Sequence, residues 1–85
     1  MANFRVRAIG ADFEADDEGS DYISAEVAKQ AAVKAAVSIA ADEIDRGKKS
    51  SIIEAHVQNG GRTIGRYVVA LSVETLPPVP RSLRD

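Results

Sequence analysis

At 85 residues and a formal net charge of -2, the chain is large enough for one hydrophobic core and too small for two. It has no cysteine, which excludes disulfides and cysteine-ligated structural zinc and leaves self-association as the common way for so small a domain to add stability. The charge is uneven: residues 12–26 hold seven carboxylates and no base, against eleven bases and six acids elsewhere, so the molecule is a dipole and not a polyanion.

The start, Met1-Ala2-Asn3-Phe4-Arg5, lacks the apolar run of a signal peptide, and charges interrupt every apolar stretch well short of the roughly 20 residues a membrane helix needs. The expectation is a cytoplasmic chain with no membrane contact. Phe4, Val6 and Ala8 alternate with Arg5, Arg7 and Ile9, the period of a half-buried strand with its arginines on the face away from Phe4. Gly10 ends it. From residue 11 to 19 the pattern is lost under five carboxylates and reads as an acidic loop, within which Phe13 and Ala15 could form a short return strand.

Asp21 or Ser24 can cap a helix that continues through Ile44 without glycine or proline, with Glu26 near its positive end and Gly47 supplying the left-handed residue that stops it. Its length is about 23 residues, and Ala25, Ala28, Ala32, Val33, Ala36, Val37, Ile39, Ala40 and Ile44 form one broad face. A stripe dominated by alanine lets the helix backbone sit close to whatever it covers, and a sheet is the natural cover.

After a basic linker at 46–51, Ile53, Ala55 and Val57 alternate with Glu54, His56 and Gln58 up to Asn59-Gly60-Gly61, a hairpin turn. Tyr67, Val69, Leu71 and Val73 then alternate with Arg66, Val68, Ala70 and Ser72, and a three-residue loop best matches the two runs. Three prolines at 77, 78 and 80 stop any strand. The expected organisation is a single α+β domain over 1–75 and an extended, mobile tail over 76–85. Its fold is an antiparallel sheet of three strands, or four with the return strand, with one long helix across one face.

The other sheet face then lacks a cover, and Ile52, Val68 and Ala70 on it are the candidate interface for a homodimer or higher assembly. Arg5, Arg7, Arg62 and Arg66, with Lys48 and Lys49, are the candidate contacts for nucleic acid, a reading ranked second because the chain is net negative and its aromatics Phe4 and Tyr67 face the core. Asp12, Glu14 and Asp16 have the first spacings of a calcium loop, but the required glycine is Asp17 and the closing glutamate is Ile23, so no metal is expected. His56, the only histidine, has no partner at catalytic spacing; no enzyme activity and no cofactor are expected. The run Pro77-Pro78-Val79-Pro80-Arg81 has the spacing of extended segments that dock in aromatic grooves.

The stretch Asp16-Asp17-Glu18-Gly19 before an alanine-rich helix, together with Ile39-Ala40-Ala41-Asp42-Glu43-Ile44 and the Gly-Arg-Tyr-Val-Val run from Gly65 to Val69, resembles a family of small uncharacterised proteins. That family is a domain of unknown function frequent in rhizobia and related alphaproteobacteria; the likeness covers roughly residues 4–75 and implies no activity. The strand-helix-strand-strand order is also similar to the dodecins, flavin-binding proteins that form hollow shells. That likeness implies a small-ligand binder between protomers, although the tryptophan on which dodecins stack flavin has no counterpart here.

Overall fold

The computed structural model describes residues 2–16 and 19–79. The elements follow in the order β1 (Ala2–Ile9), β2 (Glu14–Asp16), β3 (Ser20–Tyr22), α1 (Ala25–Asp45), β4 (Ser50–Asn59) and β5 (Arg62–Ser72). All pairings are antiparallel: β1 lies between β4 on one side and, on the other, β2 along its C-terminal half and β3 along its N-terminal half. β5 pairs with β4 and forms the far edge. This is the expected α+β architecture with one helix on one sheet face, and the return strand is present.

The acidic segment is therefore not a plain loop. β2 pairs Arg7 with Asp16 and Ile9 with Glu14, whereas β3 pairs Phe4 with Ser20, so the register shifts by one residue between the two pieces of this edge. Asp17 and Glu18, and the tail residues 80–85, lie outside the described residues. Residues 73–79 carry neither helix nor strand.

The helix begins and ends for the reasons its sequence supplies. Ser24, in an extended conformation, accepts a hydrogen bond through Oγ from the Val27 N–H at 3.2 Å, and Glu26 sits in the first turn. At the other end the Gly47 N–H donates to the Ile44 carbonyl and the Lys48 N–H to the Glu43 carbonyl, with Gly47 at φ +105°. This double closure is the Schellman pattern, and its left-handed position is one that glycine occupies without strain. Ser24→Ala is expected to cost about 1 kcal/mol in urea denaturation and Ser24→Asp to cost little; equal stability of all three proteins would show that the cap contributes nothing.

The core is thin and concentrated. Ala28, Ala32, Ala36 and Ala40, one every four residues, are fully buried against Phe4, Val6 and Ala8 of β1 and Ile53, Ala55 and Val57 of β4. Tyr67, Val69 and Leu71 of β5 pack at its margin, and the Phe4 and Tyr22 rings meet at 6.2 Å. The covered face of the helix is narrower than its apolar face: Val37 is 43% exposed, and Val33 is only half-buried. The reason is geometric. Residues one position beyond the alanine row are rotated by about 100° and so fall on the flank toward β5.

The β4–β5 connection corrects the expected three-residue loop. Gly60 and Gly61, both at positive φ, make a two-residue turn closed by Asn59 opposite Arg62. The additional residue is Ile64, taken up as a bulge between the Gln58–Thr63 and Val57–Gly65 pairs. One residue in the strand does the work assigned to one in the loop: it turns Tyr67, Val69 and Leu71 toward the helix and Arg66, Val68 and Ala70 away from it.

Candidate interaction surface

The sheet face opposite the helix is built by alternation along β1, β4 and β5. Cross-strand register places Asp16, Arg7, His56 and Arg66 in one row, and Glu14, Ile9, Glu54 and Val68 in the next. Beyond them Ile52 stands opposite Ala70. Ile52 and Val68 are 63% and 65% exposed and Ala70 is exposed, so the three candidate interface residues come together as an uncovered apolar patch beside the β5 edge.

The arginines of this face are matched by carboxylates. Arg5 Nε–H donates to Asp16 Oδ1 at 2.8 Å, Arg7 pairs with Glu14, and Arg66 Nη2 lies 3.7 Å from Glu54 Oε1. His56 Nε2 is 3.1 Å from the same Glu54 oxygen, within hydrogen-bond distance. Such partly exposed pairs contribute little stability, about 0–1 kcal/mol each, yet they neutralise the face. The expected basic patch is assembled only in part. Arg62 lies beside the turn, opposite Asn59, and Lys48 sits at the helix C-terminus, 3.5 Å from Asp12 and 3.7 Å from Glu43.

His56 faces Glu54 on the open side, whereas Ser51 is buried on the helix side, where its Oγ donates to Glu43 Oε1 at 2.5 Å. That contact joins the end of α1 to the start of β4 and accounts for the one buried polar side chain among the described residues. Among the described residues no group of three or more histidines and carboxylates is placed to hold a metal ion, and no helix is long and apolar enough to cross a membrane.

Two features escaped the sequence reading. The first is that β5 is an edge. The Val73 N–H donates to the Lys49 carbonyl at 2.8 Å, and backbone direction alternates along an antiparallel strand. Gly65, Tyr67, Val69 and Leu71 therefore address β4, and the N–H and C=O groups of Arg66, Val68, Ala70 and Ser72 point out of the sheet. The second is an open groove of about 740 Å³ between α1 and β5, floored by Val33, Val37 and Tyr67 and rimmed by Glu26, Lys29 and Lys34. Its signal was the Val33/Val37 pair, four residues apart and off the alanine row.

These features define a one-helix α+β domain whose polar groups are spread over a sheet face and whose apolar surface gathers along one edge. The model of the family described as Domain of unknown function (DUF6894) matches residues 3–70, and the chain belongs to that family. No curated protein and no solved structure matches the chain.

Proposed function

We propose that this chain is a non-enzymatic interaction domain that self-associates by pairing β5 with β5 of a second copy. The observation that carries the reading is the contrast between the two sheet edges. The β2/β3 edge consists of two three-residue strands out of register with each other and bears Glu14, Asp16 and Asp21. Short, irregular and charged strands are the usual protection against edge pairing. On the β5 edge these features, Arg62 and the bulge at Ile64, are confined to the end beside the turn, and from Gly65 onward the strand is regular with Arg66 as its one charge. It is 11 residues long, has no proline or lysine, and carries Val68 and Ala70 on its exposed side.

Val68→Pro tests this directly. The Val68 N–H points away from β4, so proline there removes no hydrogen bond of the β4–β5 ladder but blocks a strand arriving from outside. The wild type is expected to sediment as a dimer and Val68→Pro as a monomer with an unchanged far-ultraviolet spectrum. A wild type that stays monomeric at high concentration, or a Val68→Pro protein that stays dimeric, refutes edge pairing.

A further inference from the structure

We infer that in this pairing residues 73–79 of one copy occupy the groove between α1 and β5 of the other. The inference rests on the edge-pairing reading and adds its register. An antiparallel pair of identical strands is two-fold symmetric, so one residue, or one pair of neighbours, lies on the axis. The bulge at Ile64 limits the regular part of the edge to the segment that begins at Gly65. Since the Val73 N–H still reaches Lys49, the chain remains in line through residue 73.

Placing Ala70 on the axis pairs residues 66–74 of the two copies, clear of the bulge, setting Val68 opposite Ser72 and Arg66 opposite Glu74 of the second copy. Arg66 and Glu74 then form two opposite-charge cross-strand pairs per dimer, whereas an axis at Val68 sets Arg66 against Ala70 and drives the partner strand across the bulge.

The same register decides where the tail goes. Val73 of the second copy falls beside Tyr67, on the helix side of the sheet. Beyond it the second copy runs toward the Gly60-Gly61 turn. β4 starts next to the C-terminal end of α1 and ends under its N-terminal end, so the turn lies near the start of the helix. The incoming tail therefore passes along the half of α1 that carries Glu26, Lys29 and Val33, the wall of the groove. Its apolar side chains are uncovered in the single chain: Val73, Leu76 and Val79 are 46%, 78% and 62% exposed. Pro77 and Pro78 favour the polyproline II conformation, whose three residues per turn put Leu76 and Val79 on the face of Val73 and whose stiffness lowers the entropy lost on docking.

Area points the same way. A stable dimer buries roughly 1,200–2,000 Å² in total, and a strand edge supplies little beyond backbone and side-chain flanks. Two tails seated in two grooves supply apolar area that the edge alone lacks.

The test is a charge exchange in the full chain, read as the dimer dissociation constant from sedimentation equilibrium. Arg66→Glu and Glu74→Arg should each weaken the dimer roughly tenfold, since each turns two attractive pairs into two repulsive ones, and the double variant should return to within about threefold of wild type. Leu76→Asp, at a site exposed in the single chain, should also weaken it roughly tenfold while leaving protomer stability unchanged. A dimer lost in Val68→Pro but indifferent to Leu76→Asp, or unrestored by the charge exchange, overturns the tail seating and leaves edge pairing standing. A monomeric wild type overturns both.

Discussion

Ile53→Ala is expected to lower stability by about 2–5 kcal/mol, enough to leave much of the protein unfolded at 37 °C. The size of the effect follows from how the core is built. The fully buried residues of the helix are all alanines, with Ile39 packed at the margin, so most of the volume of the layer comes from a few sheet side chains, of which Ile53 and Val57 are the largest fully buried. Removing the branched side chain of Ile53 opens a cavity that its alanine neighbours are too small and too rigidly placed to fill. A domain of this length starts from a modest total, so the loss is a large fraction of it. Ile52→Ala, next in sequence but 63% exposed, should fall within about 0.5 kcal/mol of wild type. Both are measured by urea denaturation at one fixed protein concentration, because self-association would add a concentration-dependent term. A cost below about 1 kcal/mol for Ile53→Ala would show that the core is not concentrated at this residue.

The parts of the fold that were legible from sequence are those decided within a few residues. Alternation assigned Phe4, Val6 and Ala8 to one face and Arg5 and Arg7 to the other, and the structure keeps that division. Ser24 and Gly47 mark the helix ends because capping is a local hydrogen-bonding requirement. β2 was hard to read because all three of its residues are exposed: backbone pairing with β1 holds it, aided by the Arg5 and Arg7 ion pairs, with no alternation to announce it. The bulge at Ile64 was misplaced into the loop because register demands one additional residue without saying where along the hairpin it goes.

The surface was legible to the same extent. Ile52, Val68 and Ala70 were placed on the uncovered face by their parity in the strands, and they stand there. That β5 is an edge, and that a groove runs beside it, depends on strand order, which no local pattern encodes. Arg62 and Lys48 were grouped with Arg5 and Arg7 by charge alone, and the fold sets Lys48 apart at the helix end and puts Arg62 beside the turn, opposite Asn59. Val33 and Val37 joined the core face because helical periodicity gives the direction of a side chain but not how much of the helix surface is covered. The cover is narrow because the four alanines bring the helix down along a single ridge.

That ridge supports the last prediction. Ala36→Leu is expected to destabilise the domain by about 1–3 kcal/mol or more, although leucine is nearly as good a helix former as alanine and is far more hydrophobic. Ala36 is 0% exposed near the middle of the helix, with Ala32 and Ala40 one turn to either side, so the helix cannot tilt away at one end to admit three more carbons. It must rise from the sheet along its length, breaking contacts at Ala32 and Ala40 as well, or force leucine out of a favourable rotamer. Ala35→Leu makes the same chemical change at an exposed position next in sequence, and it should leave stability within about 0.5 kcal/mol of wild type. The comparison removes helix propensity from the result, because both variants alter it equally. If the two leucines prove equally tolerated, the alanine row is not the close contact described above, and the narrow cover that leaves Val33 and Val37 free to line the β5 groove loses its physical cause. A large cost at Ala36 alone ties the groove to the same feature that sets the fold: a helix lowered onto its sheet by side chains too small to hold it further away.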